Sequence, residues 1–383
     1  MLKDESGVHF RNHALDGLRG YAAIAVIFFH TITGFNMELV GRAFIAPFQT
    51  IQNSYDFVAK IVLMIFNGHS AVDLFFVLSG CVLITSIERL LARGPIPNAI
   101  LVFVVKRTLR IMPTLMVCVA VIALIIWVIS ISDPEIVKSY RWVEIRDNLF
   151  LRRTSVNGAS WTLRIEMLAI VPMIIAGLLN RALGVEGLIA FLFFSVLATE
   201  NPWLVFGFND LAGHLFYFAL GALIPTRLGI KSSSINYGLI PLLLTFLFVR
   251  AFFSYDGLAP RIVNGAACYF IVAKVFYNGF PKLNGLLILP ISRYLGKMSY
   301  SIYLWNVLIL NVIYAYRPIL PSWLHDNAVL AGLLSGAPIC ALTIVIAHFS
   351  EKYIERPSVR LGNSFQASFK FGRLTEPGSM GPS

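Results

Sequence analysis

The stretch LDGLRGYAAIAVIFFH, residues 15–30, begins with charged residues, continues as an apolar run and ends on a histidine. Arg19 and His30 are eleven residues apart, about three helical turns, so both side chains project from one helix face with a depth difference of roughly 16 Å. Ionisable residues inside a membrane helix are costly and usually face a cavity or a partner. From this pair alone, ordinary helix packing and a functional site inside the membrane are equally good interpretations.

The composition of the whole chain indicates a membrane protein. Of 383 residues, 57% are hydrophobic and 13% are charged, whereas soluble domains carry about 25% charged residues. The net charge of +11 fits the positive-inside rule and attraction to anionic lipid head groups. Because no basic face of a soluble fold is visible, we expect the lipid bilayer as a partner and no nucleic acid.

The apolar runs predict an all-α, polytopic integral membrane helical bundle with about ten transmembrane helices. The runs lie near 15–35, 70–90, 100–131, 161–180, 185–200, 208–226, 236–253, 262–280, 287–316 and 327–352.

Lysine and arginine predict the orientation of this bundle. Segments on one side carry about 20 of these residues and segments on the other about 11, which favours N-in/C-in. We therefore expect a transmembrane domain over 1–357 and a disordered cytoplasmic tail over 358–383. The connections 36–69 and 132–160 are long, which is typical of functional loops.

The stretch GHSAVDLFFVLSG, residues 68–80, brings Asp73 to about the predicted depth of His30. A carboxylate that accepts the Nδ1 proton of an imidazole fixes its tautomer and raises its basicity. We therefore expect Asp73 to orient His30 as a general base, with His69 able to substitute for either. The alternative is an acidic residue that only stabilises a helix N-terminus.

A basic cluster, VVKRTLRIMP at 104–113, begins the third run. Arg107 and Arg110 share a helix face and can grip phosphate oxygens, while Lys106 adds a third cation. Arg19 lies at a similar predicted depth. Taken alone, such a cluster is usually ordinary positive-inside sequence, but together with Arg19 and His30 it favours a docking site for an anionic donor.

Two later stretches add polar and aromatic candidates. In ASWTLRIEM, residues 159–167, Trp161 suits an interface or a substrate contact. Arg164 and Glu166 either pair with neighbours or, for Glu166, line the same cavity. In LGKMSYSIYLWN, residues 295–306, an aromatic belt is the favoured interpretation. Substrate contact is the alternative for three of its residues: Tyr300, Tyr303 and Asn306.

Metal chemistry is not expected. The four cysteines lie in apolar runs without CxxC spacing, so neither a metal site nor a disulfide framework is predicted.

Taken together, these stretches resemble the acyltransferase-3 family of integral membrane acyltransferases. The matching pieces occur in family order over residues 15 to 357. They are LDGLRGYAAIAVIFFH with its Arg-x10-His spacing, AVDLFFVLSG, KRTLRIMP, SWTLRIEM, LGKMSYSIYLWN and EKYIERP. The chain departs from the family at Ala71, where glycine is usual, and at Asn306, where histidine is frequent.

The resemblance implies transfer of an acyl group, commonly acetyl, from cytoplasmic acyl-CoA to a carbohydrate hydroxyl. The acceptor would be an exopolysaccharide, an O-antigen or a lipid-linked sugar, and the location the bacterial cytoplasmic (inner) membrane. Acyl-CoA would be a co-substrate, with no cofactor bound permanently. No esterase-like domain follows the tenth run, so the chain resembles the stand-alone form of the family.

The resemblance also assigns roles. His30 would be the catalytic histidine, either as a base or as the carrier of the acyl group, and Arg19 its motif partner. The family's other polar positions are occupied by Asp73, Arg107, Arg110 and Glu166. We expect His30, Asp73 and Glu166 to be catalytic, and Arg19, Lys106, Arg107 and Arg110 to bind the donor.

Two other classes of protein are alternatives to an acyltransferase. A transporter or flippase of a lipid-linked sugar would use the buried charges for substrate passage, although no inverted repeat is evident in the sequence. A non-catalytic scaffold gives no reason for Arg19, His30 and Asp73 to converge.

Overall fold

The fold was examined in a computed structural model, which describes residues 12–135, 138–253, 257–316, 319 and 321–369. Within these ranges all regular structure is helical and no strand occurs. The predicted all-α class is therefore confirmed. Nineteen α-helices lie within the described ranges.

These helices are α1 (His13–Phe35), α2 (Ser54–Ile65), α3 (Gly68–Leu91), α4 (Ile96–Ser132), α5 (Trp142–Leu149), α6 (Ser160–Leu168), α7 (Ile170–Leu183), α8 (Val185–Glu200), α9 (Asn209–Ala212), α10 (Leu215–Leu223), α11 (Arg227–Ser234), α12 (Leu239–Phe252), α13 (Leu258–Phe276), α14 (Pro281–Leu287), α15 (Pro290–Lys297), α16 (Ser299–Tyr316), α17 (Ser322–Asp326), α18 (Ala328–Ser350) and α19 (Arg356–Ala367). Two π-helical turns add Val40–Ile45 and Glu351–Glu355.

Six helical segments in the described ranges are long and apolar enough to cross a membrane. They are His13–Phe35, Ser54–Leu91, Ile96–Ser132, Ser160–Leu183, Leu258–Phe276 and Ala328–Ala367. Two further pairs meet the same criterion only as bent spans. The segment Asn209–Leu223, which contains α9 and α10, bends by 83° into α11, and α15 bends by 68° into α16. The chain is therefore an integral membrane protein with six candidate spans, or up to eight.

The predicted count of ten is not reached by this criterion. A helix occupies each of the ten predicted runs, but α8 and α12 have 16 and 14 residues. At 1.5 Å per residue they extend about 24 Å and about 21 Å, less than a hydrocarbon layer of about 30 Å. The orientation N-in/C-in stays a prediction.

The two long connections contain more helix than their composition predicts. Residues 54–65 form α2, which continues into α3, so the predicted loop 36–69 ends early. The Nζ of Lys60, fully buried on α2, donates to the carbonyls of Ala43, Phe44 and Ala46 at 3.0, 3.1 and 2.5 Å and fixes the preceding turn. The second connection contains α5.

The predicted disordered tail also begins in a helix. Residues 358–367 belong to α19, so disorder is wrong for this part. The Nζ of Lys106 on α4 donates to Oε1 of Gln366 at 2.6 Å, which helps to seat α19 on α4. Residues 370–383 lie outside the described residues.

Helix α1 lies at the centre of the bundle and packs against α3, α15, α16 and α18. Glycines permit two of the closest helix approaches. A Cβ on Gly221 would collide with the carbonyl of Val77, and one on Gly296 with the carbonyl of Asp16. Small residues at such crossings let backbones approach closely in membrane bundles. These contacts bring α10 against α3 and α15 against α1.

Candidate functional site

A cavity between α1, α3, α4, α6 and α16 collects most of the charged candidates. Its polar wall consists of Arg19, Ser79, Arg107, Arg110, Thr162, Glu166, Ser299, Tyr300 and Tyr303. Its apolar wall consists of Val72, Phe75, Phe76, Val82, Ile111 and Leu163. Residues up to 284 positions apart in the sequence, from Arg19 to Tyr303, therefore meet at one site.

The three arginines of this cavity outnumber its carboxylates. Nη2 of Arg19 donates to the carbonyl of Leu78 at 3.3 Å. Among the described residues, neither Arg19 nor Arg107 nor Arg110 takes part in an ion pair. The only carboxylate in the wall, Glu166, accepts a hydrogen bond from Oγ of Ser79 at 2.6 Å. The cavity thus holds three cations and one anion, which suits an anionic ligand.

Helix geometry explains why two of these cations on α4 line the cavity together. Arg107 and Arg110 are three residues apart and share a face. Lys106 lies about 100° around the helix from Arg107, and its amine contacts Gln366 instead of the cavity. The structure therefore corrects the expectation that Lys106 belongs to the same cluster.

Two predicted aromatic residues line the same cavity. The Tyr300 hydroxyl donates to the carbonyl of Ile111 at 2.7 Å, which ties α16 to α4. The ring of Tyr303 lies 5.8 Å from that of Phe75, centroid to centroid, in an edge-to-face arrangement. Tyr300 and Tyr303 are thus wall residues of the cavity and not an exposed aromatic belt.

Two other predicted substrate contacts lie outside this wall. Trp161 packs its ring against those of Phe76 and His214, with centroids 6.2 and 5.4 Å away. Asn306 is buried, and its Nδ2 donates to the carbonyls of Ile302 and Tyr303 on its own helix. Neither residue lines the arginine-rich cavity.

The alternatives left open for Arg164 and Glu166 resolve differently for each residue. Nη1 of Arg164 lies 3.8 Å from Oδ2 of Asp210, so this arginine pairs with α9. Glu166 lines the cavity, but on the same wall as Arg107 and Arg110. It is therefore a neighbour of the basic cluster and not of His30.

His30 lies on α1 outside the residues that line this cavity. Its side chain is exposed, and within the described ranges the imidazole makes no hydrogen bond. Its carbonyl accepts from the Tyr314 hydroxyl at 3.1 Å. The ring of Phe29 lies 5.3 Å from that of His30 and 5.5 Å from that of His69, so the two histidines flank one phenylalanine.

Asp73 does not orient His30, which corrects the prediction from the sequence. Oδ2 of Asp73 accepts from Nη2 of Arg250 at 2.7 Å and from Nδ2 of Asn264 at 2.9 Å. The same Nη2 donates to the Tyr217 hydroxyl at 2.8 Å. All four residues are buried. We call them the Arg250–Asp73 cluster.

Arg250 is the charged residue that the reasoning from sequence missed. It ends an apolar run, LLLTFLFVR at 242–250, so the rule that intramembrane charges need partners would have singled it out. Tyr217 and Asn264 are uncharged, so this rule does not single them out.

The described residues contain no cluster of side chains that could form a metal site. No set of three or more His, Cys, Asp or Glu side chains in those ranges is arranged to hold an ion.

Comparison with known families gives one match. The family model of the acyltransferase-3 type, an acyltransferase domain, matches residues 12–350. No curated protein and no solved structure matches the chain significantly.

Proposed function

The chain belongs to the acyltransferase-3 family, and from this premise we propose that it is a membrane-bound O-acyltransferase that uses cytoplasmic acyl-CoA, with acetyl as the acyl group. The acceptor is a hydroxyl of a carbohydrate, such as an exopolysaccharide, an O-antigen or a lipid-linked sugar. The membrane we assign is the bacterial cytoplasmic membrane. Membership itself establishes only a membrane acyltransferase.

The observation that carries the donor assignment is the arginine-rich cavity. Arg19, Arg107 and Arg110 meet there without ion-pair partners among the described residues. Arginine binds phosphate through two parallel hydrogen bonds, and CoA carries phosphates. We assign these arginines to the phosphates of acyl-CoA, and the tyrosine-lined wall to the remainder of the donor.

The chemistry requires a proton acceptor near the attacking hydroxyl. The hydroxyl oxygen attacks the thioester carbonyl, a C–O bond forms, and the C–S bond breaks. A histidine nitrogen takes the hydroxyl proton and returns it to the CoA thiolate. The exposed imidazole of His30 is free for this role, and it can alternatively carry the acyl group on nitrogen before transfer.

Asp73 is not assigned to this proton transfer, because Arg250 and Asn264 occupy its carboxylate. His69 stands beside the same phenylalanine as His30 and is the neighbour we assign to the acceptor side. Glu166 lies with the arginines, so we assign it to their orientation against the donor.

Mass spectrometry of surface glycans from cells with and without the protein tests the activity directly. We expect one class of glycan to lose one acyl unit when the protein is absent. In membranes carrying His30→Ala, acyl transfer from labelled acyl-CoA should fall by about 10²–10⁴-fold, the range of general acid–base catalysis. Full acylation by His30→Ala would exclude a catalytic role for this residue.

The same membranes separate an acyltransferase from a flippase. An acyltransferase loses acyl-CoA turnover in Arg107→Ala/Arg110→Ala, while glycan export continues. Loss of export with acyl-CoA turnover unchanged would contradict the proposal.

A further inference from the structure

A second polar cleft lies at the end of the bundle where α1 begins. Its walls are the first turn of α1 and one face of α15, and its volume is about 330 Å³. The lining residues are His13, Asp16, Pro290, Arg293, Tyr294 and Lys297. None of them lines the arginine-rich cavity.

The charges of this cleft leave one cation without a carboxylate. Nη2 of Arg293 lies 3.4 Å from Nε2 of His13, and within the described ranges Arg293 forms no ion pair. Asp16 lies 3.8 Å from Nδ1 of His13. Nζ of Lys297 lies 3.3 Å from Oε1 of Glu351, and its side chain remains about 41% exposed. A phosphate here would meet Arg293, which contacts His13 but has no carboxylate partner in the described ranges, and Lys297, which also pairs with Glu351. The Asp16 carboxylate lines the same cleft.

The back wall of the cleft is held in place. The Tyr294 hydroxyl lies 3.0 Å from Nδ1 of His348 on α18. Gly296 lets α15 rest directly on the backbone of α1. The cleft is therefore formed by packed helices, so its cations are presented from a fixed surface.

Exposed apolar side chains lie beside the cleft. Leu286, Ile288, Leu289 and Ile291 are 57%, 50%, 45% and 58% exposed. Helix α15 bends by 68° from the candidate span α16. Leu286 lies on α14, Ile288 and Leu289 lie in the connection, and Ile291 lies on α15. Segments that present apolar side chains next to cations are typical of the membrane interface, where the apolar groups lie among acyl chains and the cations at the head groups.

We propose that this cleft binds the phosphodiester head group of an anionic phospholipid, with Arg293 and Lys297 on the phosphate and the residues at 286–291 against the acyl chains. A soluble phosphate offers the same charge, but it makes no use of the adjacent apolar side chains. The proposal is independent of the acyl-transfer assignment, because no residue of the cavity takes part.

Native mass spectrometry of the full-length protein tests the site. The protein is reconstituted in nanodiscs of phosphatidylcholine with a minor share of phosphatidylglycerol and then released. We expect wild type to retain phosphatidylglycerol preferentially, and R293A/K297A to retain about tenfold less, since each cation near a membrane surface contributes to head-group attraction.

Helix α11 offers a matched control. Arg227 and Lys231 are also an Arg–Lys pair four residues apart on an eight-residue helix, and both are exposed. R227A/K231A should retain the lipid as wild type does, and R293K should preserve most of the retention because the charge stays. Equal losses in R293A/K297A and R227A/K231A, or no preference over phosphatidylcholine, would overturn the proposal.

A third arm distinguishes the source of the phosphate. The probe is labelled adenosine 3′,5′-bisphosphate, a soluble phosphate ester, added to protein in phosphatidylcholine nanodiscs. Binding of this probe that R293A/K297A abolishes, without any preference for phosphatidylglycerol, would assign the cleft to a soluble ligand and refute the lipid assignment.

Discussion

The arginine-rich cavity and the Arg250–Asp73 cluster both place arginine inside the bundle, but they treat its charge in opposite ways. In the cluster, a guanidinium 2.7 Å from a carboxylate is also held by a tyrosine, and the carboxylate accepts a further amide hydrogen bond. In the cavity, three arginines share a wall with one carboxylate, which is bonded to a serine. A compensated buried charge supports structure, whereas a cavity in which arginines outnumber carboxylates suits an anionic ligand.

The largest expected effect comes from removing two uncompensated charges. Arg107→Ala/Arg110→Ala should lower kcat/KM for acyl-CoA by about 10²–10⁴-fold, because each charged hydrogen bond is worth about 1.5–3 kcal/mol. Initial rates over a range of acyl-CoA concentrations measure this. The melting temperature should not fall. If this variant unfolded at a lower temperature, these arginines would stabilise the fold as the Arg250–Asp73 cluster does, and the two regions would not differ in role.

Breaking the compensated pair should act on stability instead. Arg250→Met leaves Asp73 charged and buried, so we expect the free energy of unfolding to fall by about 3–5 kcal/mol. Denaturation in detergent micelles measures the difference. Asp73→Leu/Arg250→Met should recover much of this loss, because no charge is then left unpaired. A double variant as unstable as the sum of the single variants would show that the two residues do not act as a pair.

The single carboxylate of the cavity provides a smaller and more specific effect. Glu166→Gln keeps an oxygen for the Ser79 hydroxyl but removes the charge beside the arginines. We expect kcat to fall by about tenfold, equivalent to about 1.4 kcal/mol, without a rise in KM. A rise in KM at constant kcat would make Glu166 a donor-binding residue only.

The smallest effect is expected at Lys106, which serves as the control for its neighbours. Its amine contacts Gln366 and it does not line the cavity, so Lys106→Ala should change KM for acyl-CoA by less than about twofold, equivalent to about 0.4 kcal/mol. A rise in KM for acyl-CoA as large as that of Arg107→Ala in the same assay would show that Lys106 contributes to donor binding.

Depth along a helix could be predicted from the sequence, but partners across the bundle could not. Helical spacing and the positive-inside rule were sufficient to assign a similar predicted depth to Arg19, Arg107 and Arg110, and the structure brings all three to one cavity. The partner of Asp73 is 177 positions away in the chain, in an apolar run whose rotation depends on packing. The predicted depth of Asp73 in the membrane suggested His30 as its partner, but the rotation of the helices about their axes makes Arg250 the partner.

The same distinction explains the count of spans. Hydropathy located every one of the ten predicted runs on a helix, because apolar length is a local property. The predicted run 185–200 has the same bounds as α8, but the run 236–253 is longer than the 14-residue helix α12. Hydropathy also did not give the 68° angle between α15 and α16, because helix ends and bends depend on turn residues and on tertiary contacts. Lys60, which fixes the turn before α2, is such a contact.

Helix α4 has 37 residues, which corresponds to about 55 Å, far more than the hydrocarbon thickness of about 30 Å. Such a mismatch is relieved by tilting or by projecting beyond the lipid. Arg107 and Arg110 lie on α4, whereas Arg19 lies on the shorter α1. Tilting α4 therefore changes the depth of Arg107 and Arg110 in the membrane relative to that of Arg19. Bilayer thickness therefore becomes a variable of donor binding: in vesicles of increasing acyl-chain length, KM for acyl-CoA should pass through a minimum at the thickness that aligns the three side chains.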